Sequence, residues 1–203
     1  MFKKVAADAL GLSDIGSVIS PKDYDKVEAD DYVMHEEEEK IFFLIKSKMD
    51  EYCFTNKALI HVDGTSAISK KRMLRRYSYY KHPITNVALE TAGTIDMDIE
   101  IKFSMGDKAY SIDVHKQYLE QLKDLYKALY KMSSIQKENM LMHDYSMKSL
   151  SAATNSVARS SGATNPEDQF KEINQYAFKW MEHNYKTYVR KDFSEVFLKF
   201  INN

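Results

Sequence analysis

From Thr94 to Met105 the chain alternates without a break. Thr94, Asp96, Asp98, Glu100, Lys102 and Ser104 fall on one side, and Ile95, Met97, Ile99, Ile101, Phe103 and Met105 on the other. A period of two predicts a strand with one wet and one buried face. Upstream, "KIFFLIKS" is a continuous apolar run of strand length, followed by "EYCFT" and by "NKALIHVD", which ends at Asp63-Gly64. "RMLRRYSYY" stops at His82-Pro83, and "ITNVALET" at Ala92-Gly93. After the alternating stretch, Gly106-Asp107 turns the chain into "KAYSIDV". Seven short strands with tight connections predict an antiparallel meander. Beyond Val114 the period changes. Leu119, Leu122, Tyr126, Leu129 and Tyr130 recur at three and four residues, which predicts an amphipathic helix able to cover the apolar face of the sheet.

Residues 133–203 read as a helical hairpin with its turn near Ser160–Thr164. Asn165 is a good N-cap and Pro166 suits the first helical position, with Glu167 and Asp168 at the positive helix end. Phe170, Ile173, Ala177, Trp180 and Met181 form one apolar face, which Phe193, Val196, Phe197, Phe200 and Ile201 are expected to extend. The expected organisation is a barrel or sandwich domain over residues 1–132 and the hairpin over 133–203. A chain ending near Ser133 is expected to stay folded and to change only its assembly. At the other end, residues 11–39 are turn-rich and acidic, and Phe2, Val5, Ala9 and Leu10 could line a short amphipathic helix.

Three stretches, "IKSKMDEYCFTNKALIHVDG", "KKRMLRRYSYYKHPI" and "LETAGTIDMDIEIKFS", resemble the bacterial pleckstrin-homology (PH-like) family. Residues 133–203 resemble the YvbH-like oligomerisation region that follows this domain in some members. The resemblance implies an α+β fold: a seven-stranded antiparallel barrel or sandwich capped by a C-terminal helix, then the hairpin. It further implies a non-enzymatic protein that assembles with itself into cyclic rings.

Composition narrows the functions. The 203 residues are 44% hydrophobic and 29% charged, ordinary for a globular chain. Residues 1–114 carry 16 Lys/Arg against 20 Asp/Glu, a net of −4, and residues 115–203 carry 13 against 10, a net of +3. Neither half has the basic excess of a nucleic-acid binder. Cys53 stands alone, so no intrachain disulfide and no CxxC motif exist, which favours the cytoplasm. No signal-peptide core and no apolar run of about 20 residues is present. The six histidines show no metal-ligand spacing, and no phosphate loop or nucleophile elbow occurs. No catalytic, metal or cofactor residues are expected.

Two stretches are left as candidates for recognition. Asp96, Asp98 and Glu100 lie about 6.8 Å apart along one strand face, a spacing seen in carboxylate pairs of hydrolases. Without a cleft they are expected to form a solvated wall or a subunit contact. Lys70, Lys71, Arg72, Arg75, Arg76 and Lys81 fall in a window free of acidic residues, interleaved with Tyr77 and Tyr79. Arg and Tyr of this kind favour a protein contact; an anionic-lipid contact made by a peripheral membrane adaptor is the alternative. The acidic run Glu36–Glu39 and the basic run Lys70–Arg76 are expected on separate surfaces, each facing a neighbouring protomer. The candidate contact residues are thus Arg72, Arg75, Arg76, Tyr77, Tyr79, Lys81, Asp96, Asp98, Glu100, Trp180, Phe193 and Phe197. The expected partner is a further copy of the chain in a high-order cyclic homo-oligomer, with room for another protein on the polar surface of the ring.

Overall fold

A computed structural model describes residues 14–64, 72–91, 98–159 and 165–201. The chain divides into two compact units, one built from 1–133 and 191–203 and the other from 134–190. In the first unit, β1 (Ser17–Val18), β2 (Ile41–Lys46), β3 (Asp50–Thr55), β4 (Ala58–Gly64) and β5 (Arg72–Ser78) form one antiparallel sheet in sequence order. A second sheet holds β6 (Ile84–Glu90), β7 (Asp98–Met105) and β8 (Lys108–His115). Gly16 joins the two sheets: its N–H donates to Asp113 O at 2.8 Å, and its carbonyl accepts from His115 N at 3.0 Å. A Cβ here would stand 2.9 Å from that Asp113 carbonyl, so the junction requires glycine.

Both faces of the first sheet are buried over β2, β3 and β4, while β5 is exposed at its start. This explains why its strands read as continuous apolar runs while β7 alternates. Inward, Phe43, Phe54 and Leu59 are buried, as are Ile101 and Phe103 of the second sheet and Leu122, Leu125 and Leu129 of the long helix, and the rings of Phe54 and Phe103 lie 5.9 Å apart. Outward, Leu44, Cys53, Ile60 and Val62 are covered by Ile19, Val27, Ala29 and Val33 of the acidic N-terminal segment. That segment is wound into three short 3-10 turns, Pro21–Lys26, Glu28–Tyr32 and His35–Glu37. Glu51 pins the middle one. Buried on β3, it accepts from Ala29 N at 2.7 Å and also binds Lys46. Cys53 lies wholly inside this layer, and burial pushes its thiol well up, leaving it inert.

In β7, Ile99, Ile101, Phe103 and Met105 are buried, while Asp98, Glu100, Lys102 and Ser104 are half exposed. Ile101→Ala is therefore expected to cost about 2–5 kcal/mol, because it leaves a cavity. Asp98→Asn should stay within about 0.5 kcal/mol. Urea unfolding followed by tryptophan-independent far-UV circular dichroism tests both, and a tolerant Ile101 would mean an inverted register.

The long helix α1 (Leu119–Arg159) begins in the first unit, where Leu122, Leu125, Ala128, Leu129 and Met132 are buried. Tyr130, expected on that face, is exposed instead. The rest of α1 and α2 (Pro166–Tyr188) make the hairpin of the second unit. Asn165 caps α2, its Oδ1 accepting from Glu167 N at 3.2 Å. One expectation is corrected here. Phe193, Val196, Phe197 and Ile201 do not extend the hairpin face. The helix ends at Tyr188, and a separate short helix, α3 (Ser194–Phe200), packs into the first unit, where all four side chains are buried. The Asp192 carboxylate accepts from Ser194 N at 2.7 Å and so marks the new helix start.

Candidate interaction surfaces

The turn between β3 and β4 lies in the "FTNKALI" stretch. Thr55 Oγ1 accepts from Ala58 N at 2.9 Å and from Lys57 N at 3.1 Å, which closes the turn. Asn56 then ties three segments together. Its Oδ1 accepts from Lys40 N at 2.8 Å, its Nδ2 donates to Asp192 Oδ2 at 2.6 Å, and its carbonyl accepts from Phe193 N at 2.9 Å. The distinctive wording of this stretch is thus a structural clamp between the sheet and the returning C-terminal segment.

The basic stretch is not an open cation surface. Arg72 Nε lies 3.5 Å from Glu28, Arg75 donates to Asp63 at 2.6 Å, and Arg76 donates to Glu39 at 2.9 Å. The Arg75 guanidinium holds the Asp63 carboxyl below its usual range. The Arg76–Glu39 pair overturns the expectation that the acidic and basic runs sit on separate surfaces, because Glu39 reaches across the sheet within one chain. Tyr79 is not on the surface either. The strand ends at Ser78, and Tyr79 turns inward with its ring edge-on to Phe193, centroids 5.7 Å apart. Tyr77 is half-buried, edge-on to Tyr110 at 5.9 Å. Lys81 is exposed beside the ring of Tyr80. Lys70 and Lys71 lie outside the described residues.

The polar row of β7 is a ladder across the second sheet. Glu90 faces Glu100, and Glu100 faces Asp113. Lys102 bridges two of these carboxylates, 2.6 Å from Glu90 and 2.8 Å from Glu100. Among the described residues, Asp113 has no such cation within ion-pair distance. Partial burial, then Glu100 and Asp98, raise its carboxyl above the usual range. A carboxyl raised on folding contributes stability in full below its unfolded value, near 4, and loses it as pH rises through the folded value. Asp113→Asn should therefore gain a few tenths of a kcal/mol at pH 7 and nothing at pH 3, because the group is largely exposed. Paired thermal melts at the two pH values check this. Asp96 lies outside the described residues. Among those described, no group of three His, Cys, Asp or Glu could hold a metal ion, and no helix is long and apolar enough to cross a membrane.

Within the hairpin, Trp180 is half-buried between the helices and donates Nε1–H to Ser146 O at 3.3 Å. Ile173 and Ala177 share this inward face, whereas Phe170 and Met181, expected on it, point to solvent. Phe193 and Phe197 of the candidate contacts are wholly buried in the first unit and are not on its surface.

Two sheets closed by a helix, followed by a helical hairpin, match a known combination. Residues 9–133 match the bacterial PH domain, and residues 144–203 match the YvbH-like oligomerisation region. The chain belongs to the bacterial PH domain family. This PH-domain protein is 53% identical over 204 residues to "Uncharacterized protein YvbH" of Bacillus subtilis (strain 168), covering all of both chains. It is also similar to the crystal structure of a PH-domain-containing bacterial protein from Exiguobacterium sibiricum 255-15. That likeness has 49% identity and a TM-score of 0.86, and covers 93% of this chain and all of the other. A PH-like domain joined to an oligomerisation region marks an interaction module, and the second region supports self-association. By sequence that region runs through α3, which in the structure packs in the first unit.

Proposed function

We propose that this PH-domain protein is a non-enzymatic assembly module whose copies close into a cyclic homo-oligomer through the hairpin of residues 134–190. The observation that carries this reading is the polarity of the hairpin. Its interior is mixed, the buried Asn184 and half-buried His143 and Ser146 lying with half-buried Ile173, Ala177 and Trp180, while Met140, Tyr145, Phe170, Tyr176 and Phe178 are among its most exposed side chains. Two helices arranged in this way gain little from each other, and their apolar exterior favours a further chain. The alternative, an adaptor binding anionic headgroups through residues 70–81, lacks comparable support: a phosphate would have to displace carboxylates from Arg72, Arg75 and Arg76.

Sedimentation velocity with multi-angle light scattering tests the proposal on the full chain. The expected result is one particle mass, an integral multiple of 23.6 kDa well above two chains, unchanged on dilution. A monomer at micromolar concentration would overturn it.

A further inference from the structure

The hairpin carries two different apolar exteriors, one on each helix. On α2 the exposed residues Phe170, Asn174, Phe178 and Met181 follow at steps of four, four and three, which aligns them in one stripe. Phe170 is 70% exposed and Phe178 64%. Together they offer roughly 250 Å² of aromatic surface. The stripe is flanked by ion pairs made within the helix, Glu167–Lys171 at 2.8 Å and Glu182–Lys186 at 2.6 Å. Its rim is therefore already neutralised, and the stripe calls for an apolar partner. On α1 the outer side is bulky at Leu141, Met142 and Tyr145 but small at Ser149, Ala152 and Ser156. The Ser156 hydroxyl donates back to Ala152 O at 2.9 Å, so this small-residue surface presents a hydroxyl already satisfied within the helix.

The bond from Trp180 to Ser146 fixes the level of the two antiparallel helices. Ten residues towards the turn on each helix brings Phe170 level with Ser156, and Phe178 comes level with Lys148, beside Ser149 and Ala152. Phe170 and Phe178 thus stand at the height of small residues of α1, while Met181 comes level with Tyr145. Copies rotated about an axis along the hairpin stay level with one another, so Phe170 and Phe178 of one copy meet the small-residue surface of the next.

Resting on the self-association proposed above, we infer that the contact is heterologous: the Phe170–Met181 stripe of α2 docks on the outer face of α1, around Ser149 and Ala152, of a second copy of this chain. Because the two faces differ, each docked copy leaves one of each kind unsatisfied. Growth then continues until the set closes on itself, which gives cyclic symmetry rather than a two-fold pair. The 11-residue interval from Phe170 to Met181, close to the helical repeat, suits nearly straight packing. Asn174, a polar group within the stripe, would fix the register.

The test uses two variants of the full chain, each damaging one face. Phe170→Ser/Phe178→Ser removes the stripe, and Ser149→Arg/Ala152→Arg fills the surface that receives it. All four positions are exposed, so the helical circular dichroism of each variant should match the parent. Each variant alone is expected to sediment with the mass of one chain. An equimolar mixture is expected to give a particle of two chains and no larger, since it contains one intact pair of faces. Unchanged assembly of either variant beside an assembled parent would overturn the heterologous contact and leave self-association standing. A mixture that remains monomeric would also overturn it, whereas a two-fold stripe-to-stripe contact predicts that the Ser149→Arg/Ala152→Arg variant still pairs with itself. A monomeric parent would instead sink the assembly reading itself.

Discussion

A chain cut after Ser133 is expected to lose the fold of the PH domain along with the hairpin. The cut removes residues 191–203, which belong to the first unit. Phe197 stacks on Phe42 with centroids 5.1 Å apart, and Phe193 meets Tyr79 edge-on at 5.7 Å. Both phenylalanines are fully buried, as are Val196 and Ile201. The cut also takes away Asp192 and the Phe193 N–H, leaving Asn56 Nδ2 and the Asn56 carbonyl without those partners. Truncating one buried Phe to Ala costs about 3–5 kcal/mol. Losing two, with their neighbours, rivals the whole stability of a domain, about 5–15 kcal/mol. Phe197→Ala in the full chain should lower the urea midpoint by the single-residue amount. The 1–133 chain should show no cooperative transition, and a synthetic 191–203 peptide in excess should restore part of it. A 1–133 chain that unfolds cooperatively at the parent's midpoint would show that α3 is dispensable.

The sequence reading had expected such a truncation to stay folded, and the reason for the difference is physical. An apolar run at helical spacing, such as Phe193, Val196, Phe197 and Phe200, shows that a face will be buried but not against what. The break that separates α2 from α3 carries no Pro or Gly; its one signal is Asp192, whose carboxylate accepts from Ser194 N just ahead of the new helix. The same limit explains Phe170 and Met181. They border the stripe of Ile173, Ala177 and Trp180 closely enough to be read with it, yet they lie outside it, exposed. By contrast, the faces of β7 from Asp98 to Met105 were legible, because a strand with one wet face writes its orientation into a period of two; Thr94 to Met97 of the expected strand lie outside the described residues. β2 to β5 of the first sheet were legible as strands, while β1 and the outer cover were not. Residues 19–33 are acidic and turn-rich, and Val27, Ala29 and Val33 are too widely spaced among polar residues to announce a layer. The arginines of β5 were legible as an interleaved Arg and Tyr pattern, but their partners Glu28, Glu39 and Asp63 are distant in sequence or on the adjacent strand.

Of those arginines, Arg76 should be the costliest to replace. Glu39 is completely buried, and its carboxylate accepts from Met34 N at 2.9 Å, from Thr55 Oγ1 and from Arg76 Nη2 at 2.9 Å. Arg76 is its only cation partner among the described residues, and the Arg76 side chain retains about a quarter of its exposure. The pair is therefore unequal. Removing the carboxylate, as in Glu39→Gln, leaves an arginine whose side chain is a quarter exposed, although its Nη1 is buried, while the amide keeps an oxygen for Met34 N. The expected cost is about 1–3 kcal/mol, that of weakened charge-assisted bonds. Removing the cation, as in Arg76→Met, strands a fully buried carboxylate with only neutral donors, and breaking a buried pair from that side costs about 3–5 kcal/mol. The double variant, Glu39→Gln with Arg76→Met, buries no charge at all. It should be more stable than Arg76→Met alone, a positive coupling that a double-mutant cycle in urea reads directly. Equal losses for the two single changes, or a double variant worse than Arg76→Met, would mean that the carboxylate is solvated after all and that the arginine is free to serve a surface contact.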